Sequence, residues 1–129
     1  MPKFNLNKLV RDKLLEDYKR LNQKVGCREL TKSEHSQALI NKIIEEVHEI
    51  NIDDSAEDMS SEVADIMQVL EDYIKLNDLS LEKIEQIKRQ KFDKKGGFID
   101  GSYVNTIELT EDDEWVKYYR EHPDIFPEL

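Results

Sequence analysis

The stretch "QALINKIIEEVHEI", residues 37–50, predicts an amphipathic helix, because its apolar residues recur at helical spacing while its acids gather on one flank. At 100° per residue, Glu49 lies at about −60° and Glu45 at about −100° from Glu46. The apolar side chains lie between about +40° and +160°: Ile40, Ile43, Ile44, Val47 and Ile50. Lys42, the nearest lysine, offsets these acids only in part. Like charges at this spacing repel, so the cluster indicates either a solvated helix face or a bound cation.

A second stretch, "EVADIMQVLEDYIKL" at residues 62–76, repeats this arrangement. Asp65 lies about −60° from Glu62, and the apolar side chains lie between about +20° and +140°. The two stretches share the order acid, Val, any residue, acid, Ile. If the two helices pack through their apolar stripes, each brings an i, i+3 acid pair to the edge of the same seam. Four converging carboxylates require a counter-charge, and Mg²⁺ or Mn²⁺ is the cation that oxygen ligands favour.

Two other kinds of metal site do not fit the spacing. An EF-hand loop needs a central glycine and alternating acids, which "DDSAEDMSSE" at residues 53–62 lacks. A di-iron bundle needs two E-x-x-H motifs, and Glu45 with His48 supplies one. Neither His35 nor His122 completes a second motif. The acid pairs therefore favour a hard divalent cation.

The flanking sequence predicts further helices and an all-α bundle. A first helix is expected over "KLVRDKLLEDYKRL", from Lys8 to Leu21. Thr31 and Glu34 form a capping box for the second helix, and Ser60 or Ser61 caps the third. These central helices are predicted to cover residues 38–51 and 61–77. Ser80 caps a fourth helix over residues 81–95, which Gly96 and Gly97 close.

The C-terminal tail differs in composition from the helices. "GFIDGSYVNTIEL", residues 97–109, is rich in β-branched and aromatic residues, and it predicts a short hairpin or an extended arm. A last helix is expected from Thr110 to Pro123. Trp115, Tyr118 and Tyr119 would either stack on a nucleotide base or pack this helix onto the body.

Composition restricts the class of protein. The 129 residues fit a single domain, and one cysteine, Cys27, excludes an internal disulfide framework. No apolar run approaches a membrane span, so we expect a soluble, cytoplasmic protein without membrane partners. The net charge of −10 argues against general nucleic-acid binding. The middle of the chain is acidic and lies between two basic segments, 1–32 and 86–97, so the fold is expected to hold both a cation and an anion.

Four motifs in order resemble one known family: "KLVRDK", "KIIEEVHE", "SEVADIMQVLEDY" and "KKGGF". They resemble the MazG-like, phosphoribosyl-ATP pyrophosphohydrolase-like group of all-α nucleoside triphosphate pyrophosphohydrolases. The resemblance covers about residues 7–98 and leaves the arm and helix of residues 99–129 outside it. His48 occupies a position where the family has a small residue.

The resemblance implies hydrolysis of a nucleoside triphosphate, or a phosphoribosyl-ATP-like nucleotide, between its α and β phosphates. Monophosphate and pyrophosphate would be the products. By the family pattern, Mg²⁺ (or Mn²⁺) would be held by four acids: Glu46, Glu49, Glu62 and Asp65. Glu45 or Glu49 would accept a proton from the attacking water, and the sequence does not choose between them. The phosphates are expected to be bound by basic residues of both flanks: Lys8, Arg11, Lys91 and Lys95.

Two further expectations concern assembly and the alternative function. Relatives work as dimers or larger assemblies, and two long amphipathic helices leave apolar surface to cover, so we expect at least a homodimer with these helices at or near its interface. The alternative to the enzyme is a helical nucleotide-binding or regulatory protein that keeps the metal site without turnover.

Overall fold

The structure is a computed structural model that describes all of residues 1–129. It contains five α-helices and no β-strand, so the predicted all-α class is confirmed. The helices are α1 (Leu14–Arg20), α2 (Lys32–His48), α3 (Ala56–Leu76), α4 (Leu81–Lys95) and α5 (Trp115–Arg120). None of them combines the length and the apolar composition that crossing a lipid bilayer requires.

The chain divides into two compact units, residues 1–90 and residues 91–129, and the boundary falls within α4. In the first unit, α2 packs against α3, and this is the principal contact between helices. The two helices run antiparallel, since Ser36 near the start of α2 accepts a hydrogen bond from the side chain of Asn77, just after the end of α3, at 3.2 Å. Three of the acids predicted to hold a metal, Glu46, Glu62 and Asp65, lie in this pair of helices, and the fourth, Glu49, is the C-cap of α2.

α2 begins where the capping box predicts. The hydroxyl of Thr31 accepts a hydrogen bond from the Glu34 N–H, and the Glu34 carboxylate accepts one from the Thr31 N–H. Hydrogen bonds from Arg28 and then from Thr31 lower the pKa of Glu34 to about 2. The carboxylate therefore stays ionised at neutral pH and closes the first turn of the helix.

α3 begins at Ala56, earlier than the predicted start at residue 61. Its cap is Ser55, whose hydroxyl accepts a hydrogen bond from the Asp58 N–H at 3.1 Å. Ser60 lies inside the helix, where its hydroxyl donates to the Ala56 carbonyl. The predicted caps at Ser60 or Ser61 were wrong because Ser55, followed by acids in the first turn, already satisfies the helix N-terminus.

The prediction of a first helix from Lys8 was also wrong, because α1 is short and residues 8–11 are not helical. Asn7, just before the predicted start, takes the left-handed backbone conformation with φ of 49°. The side chains of Lys8 and Arg11 instead pair with acids of α2 and α3, so this segment follows the surface of those helices.

The predicted start and end of α4 are confirmed. The hydroxyl of Ser80 accepts a hydrogen bond from the Lys83 N–H at 3.1 Å. At the other end, the Gly96 N–H donates to the Phe92 carbonyl at 2.7 Å. Gly96 has a φ of 78°, which closes the helix in the left-handed conformation that glycine adopts most easily.

The second unit forms no hairpin, the first of the two predicted alternatives for residues 97–109. The chain makes one turn there, in which the Gly101 N–H donates to the Phe98 carbonyl, and no strand follows. The last helix is shorter than predicted. Residues 110–114 form a turn because the Thr110 carbonyl accepts from the Asp113 N–H, and the Asp113 carboxylate then accepts from the Trp115 N–H at 2.8 Å.

The aromatic residues of α5 contact one another within the second unit. Trp115 and Tyr118 meet edge to face with ring centroids 5.5 Å apart, and Tyr119 contacts Phe126 at 4.9 Å. Arg120 closes the same region by pairing with Glu111 and Glu128. These contacts account for the local structure of the tail and leave base stacking by its aromatic residues as a prediction.

The interior of the first unit is narrow and contains an acid. Leu39, Glu46 and Val69 are the three buried residues of the chain. Leu39 and Glu46 are seven residues apart on α2, so they lie on nearly the same face of the helix. Glu62 and Val69 have the same relation on α3. Glu46 and Glu62 therefore lie within the seam between the helices, whereas the sequence predicted that the acids lie at its edge.

The helix pair consequently has an acidic side and an apolar side. On each helix, three large apolar residues at i, i+4 and i+7 lie about 80° to 160° from the seam acid, and Glu45, Glu49 and Asp65 lie in the opposite sense. Antiparallel packing brings both triplets to the same side. We call them the apolar face; all six are 37% or more exposed: Ile40, Ile44, Val47, Val63, Met67 and Leu70. The prediction that these residues are buried was wrong for the single chain, because α3 covers α2 along Leu39 and Glu46 instead.

Candidate metal centre

Five carboxylates gather at one end of the α2–α3 pair in two overlapping groups. Carboxylate oxygens of Glu45, Glu46 and Glu49 lie within 4.8 Å of one another. Oxygens of Glu46, Glu62 and Asp65 form a second group with the same spread. Glu46 belongs to both groups. The structure thus brings all four predicted metal ligands, and the companion acid Glu45, around one buried carboxylate.

Glu46 is the central residue of this site. Its side chain is 9% exposed, and its Oε2 atom has no hydrogen-bond partner. Across the seam, Oε2 of Glu62 is also buried and unpartnered. Buried carboxylate oxygens are costly without a partner, so two such atoms in one seam indicate a missing cation or donor. Exposed acidic clusters lack this feature.

The charge state of Glu46 reflects the same environment. Burial raises the pKa of its carboxyl above the ordinary value, and the nearby charge of Glu49 raises it further. Lys42 opposes both effects. Burial and repulsion therefore disfavour the ionised form of Glu46, and a bound divalent cation would offset both effects.

Lys8 and Arg11, predicted to bind phosphate, lie on the acidic side of the helix pair. Arg11 Nη2 is 2.6 Å from Asp65 Oδ1, and Lys8 Nζ is 3.7 Å from Glu45 Oε1. The segment before α1 is thus attached to one acid on each central helix. Arg11 is still 61% exposed, so its guanidinium also faces solvent, where a phosphate would approach.

Lys91 and Lys95 belong to the second unit, where both are exposed on the last turns of α4. Lys94 and Lys95 also lie where a helix C-terminus favours cations. Their role in phosphate binding stays a prediction.

Lys42 is a residue of the site that the sequence analysis treated only as a partial counter-charge. Its Nζ lies 3.2 Å from Glu45 Oε1 and 3.4 Å from Glu46 Oε1. The spacing of i to i+3 and i+4 on one helix is the signal that predicts both contacts. The partial burial of Lys42 was not predictable in the same way, because helical spacing does not determine which side chains other parts of the chain cover.

The acidic site does not lie in a surface depression. A shallow depression of about 580 Å³ lies near the start of α2, beside Ser36 and Asn77, and none of the five acids lines it. Its walls include the apolar Ile40 as well as polar side chains, two of which, Ser36 and Asn77, already bond to each other. The side chains that could bind a metal are therefore the acids, which lie outside this depression.

No family model, curated protein or solved structure matches this chain.

Proposed function

We propose that this chain is a Mg²⁺-dependent nucleoside triphosphate pyrophosphohydrolase, for which Mn²⁺ can replace Mg²⁺. It would cleave a nucleoside triphosphate, or a phosphoribosyl-ATP-like nucleotide, between the α and β phosphates. The products would be the monophosphate and pyrophosphate. The resemblance of four motifs to the MazG-like group supports this proposal, as does the arrangement of the acids.

The observation that carries the proposal is the unpartnered Oε2 of buried Glu46, placed where the two groups of carboxylates overlap. An acidic helix pair without a ligand would gain stability by exposing this residue to water, since burial of an unpaired charge is costly. Divalent cations held in these two groups, by Glu46 with Glu49 and by Glu46 with Glu62 and Asp65, would offset that cost. All four residues offer the hard oxygen ligands that Mg²⁺ prefers.

The remaining groups of the site have roles that follow from their charge. When bound, Mg²⁺ supplies electrostatic stabilisation of the phosphate oxygens. Arg11 offers a planar fork that can hold two phosphate oxygens, and Lys8 adds a point charge beside it. Phosphoryl chemistry requires little more than this positioning and a residue that accepts the proton of water.

Glu49 suits the role of proton acceptor better than Glu45. Oε1 of Glu45 is already engaged by two cations, Lys8 at 3.7 Å and Lys42 at 3.2 Å. Glu49 is exposed at the end of α2 and has no ion pair. It therefore has a free oxygen for a water molecule.

A screen of pyrophosphate release over a panel of nucleotides tests the proposed function. The purified chain with Mg²⁺ is expected to convert at least one nucleoside triphosphate, or phosphoribosyl-ATP, into monophosphate and pyrophosphate. EDTA should abolish the reaction. Nucleotide binding without turnover across the panel would favour the regulatory alternative, and release of inorganic phosphate with a diphosphate would place the cleavage at the wrong bond.

The apolar face supports a second part of the proposal, namely a homodimer. Its two triplets repeat the same i, i+4, i+7 spacing, so identical faces of two chains can pack ridge into groove about a two-fold axis. A contiguous apolar surface on paired helices is costly in water. A second copy of the chain is the occupant whose surface has the same apolar composition and the same spacing.

Met67→Lys should disrupt this dimer. Met67 is 64% exposed at the centre of its triplet, and a lysine there would place a charge in the interface without disturbing the α2–α3 seam. Analytical ultracentrifugation at micromolar concentration is expected to show a dimer for the wild type and a monomer for the variant. Ile52→Lys is the matched control, since Ile52 is 92% exposed in the α2–α3 connection, outside the apolar face. A monomeric wild type would contradict the proposal.

A further inference from the structure

Lys42 differs from every other basic side chain in the protein. It is the single Lys or Arg that is not exposed, and its side chain is 18% accessible. Its two ion pairs to Glu45 and Glu46 compensate for that burial. A comparable i, i+4 pair on the surface, Lys75 with Glu71, has both side chains more than half exposed. Lys42 is thus built into the interior beside the acids and is not a solvated surface cation.

Lys42 contacts only one of the two carboxylate oxygens of Glu46. Lys42 Nζ pairs with Oε1 at 3.4 Å, while Oε2 has no partner. Holding one oxygen fixes the plane of a carboxylate, because rotation about the last side-chain bond would break the contact. The second oxygen is then left for a different ligand, and Glu62 presents an unpartnered oxygen to the same seam.

The same lysine also fixes the relation between Glu46 and its neighbour. Its Nζ bridges Oε1 of Glu46 and Oε1 of Glu45. Without that bridge, the carboxylates of Glu45, Glu46 and Glu49 repel one another within a space of 4.8 Å. This repulsion would turn the three carboxylates toward solvent. The oxygens that a bound cation contacts at the same time would then move apart.

We propose that Lys42 is a positioning residue of the metal centre, which holds Oε1 of Glu45 and of Glu46 and so leaves Oε2 of Glu46 available to a divalent cation. Partners that orient metal ligands in this way contribute about 10- to 100-fold to metal affinity. The binding part of this inference rests on the contacts above, and the part that concerns turnover rests on the proposed function.

The test measures Mn²⁺ binding directly, by the electron paramagnetic resonance signal of free Mn²⁺, with the full chain. Lys42→Met keeps the apolar stem and removes the charge. It is expected to weaken Mn²⁺ binding about tenfold, in spite of the loss of a repelling cation. Lys75→Met, which breaks the exposed pair with Glu71, is the control and should bind Mn²⁺ as the wild type does. Lys42→Gln provides a second variant should Lys42→Met fail to fold.

Lys42→Arg separates positioning from a general effect of packing. Arginine keeps the charge and can contact both oxygens, so this variant should recover most of the lost affinity. Binding in Lys42→Met that is unchanged, or tighter than in the wild type, would overturn the inference, because a cation that merely competes with the metal gives that result. A Lys42→Arg variant as weak as Lys42→Met would overturn it as well.

Turnover distinguishes this inference from the proposed function. Under saturating Mg²⁺, Lys42→Met should lower kcat by roughly tenfold or more and change KM for the nucleotide little, since the lysine acts through the acids. If the wild type hydrolyses no nucleotide but the Mn²⁺ affinities follow the expected order, the proposed function fails and the role of Lys42 is retained. If nucleotide is hydrolysed and all variants bind Mn²⁺ alike, the role of Lys42 fails.

Discussion

Mg²⁺ at roughly a hundredfold excess over its dissociation constant is expected to raise the free energy of unfolding by about 2.7 kcal/mol. The reason lies in the carboxylates of the α2–α3 seam, where Glu46 and Glu62 each have a buried oxygen without a hydrogen-bond partner. The unfolded chain separates these acids, so the metal binds the folded state in preference. Chemical denaturation with and without Mg²⁺, at constant ionic strength, measures the difference.

Glu46→Gln should remove most of that stabilisation. The amide keeps the shape of the side chain and eliminates the charge that both groups of acids share. In the absence of metal, the variant should equal or exceed the wild type in stability, because a buried, repelled charge is gone. Glu71→Gln, at an exposed position on α3, is the control and should leave the Mg²⁺ effect intact. Equal stability of the wild type with and without saturating Mg²⁺ would mean that the acids hold no metal.

The contribution of Glu46 to the free energy of unfolding changes with pH in a defined direction. The pKa of Glu46 is raised in the folded protein, so the folded state binds this proton more readily than the unfolded state. Without metal, the contribution of Glu46 to stability is present below its ordinary pKa and is lost as pH rises through the raised value. Mg²⁺ would bind the ionised carboxylate, and its stabilising effect should therefore grow over that same rise in pH.

Asp65→Asn is expected to lower kcat roughly a hundredfold or more for the best nucleotide. A metal ligand stabilises the charge that develops on the phosphate oxygens, and the loss of such a group typically reduces kcat by about 10²- to 10³-fold. Steady-state kinetics at saturating Mg²⁺, with both products identified, measures the effect. Full activity of Asp65→Asn would remove Asp65 from the site.

Arg11→Ala should act mainly on KM, which separates the basic residues from the acids. A phosphate contact made before and during reaction contributes to binding in both states, so KM rises at least as much as kcat falls. Because Arg11 Nη2 also pairs with Asp65 at 2.6 Å, a metal that neutralises Asp65 would free the guanidinium for the nucleotide. Arg11→Lys should recover only part of the affinity, since lysine lacks the planar fork.

Arg20→Ala is the matched control for Arg11. Arg20 is an exposed arginine of the same unit whose partner, Asp17, lies one turn away on α1. Its removal should leave both kinetic constants unchanged. A similar rise of KM in both arginine variants would indicate a general effect of positive charge and not a specific phosphate contact.

The sequence was sufficient where structure depends on residues close together in the chain. The capping box of Thr31 and Glu34, the cap at Ser80 and the end of α4 at Gly96 are each determined within one helical turn. The helical spacing of α2 and α3 likewise gave the i, i+3 acid pairs. Where two local signals competed, as Ser55 and Ser60 did for the start of α3, the pattern alone selected the wrong one.

Tertiary structure decided which face of each helix is covered and which distant residues meet. Periodicity gives the angles between side chains of one helix, but burial depends on the direction from which a second helix packs. The packing of α3 along Leu39 and Glu46 buries the acid and exposes the apolar face, the opposite of what the stripe alone predicts. Arg11 reaches Asp65 across 54 residues of sequence. Such a contact has no periodic signature, because it forms only once the chain has brought its segment before α1 to the acidic side of the α2–α3 pair.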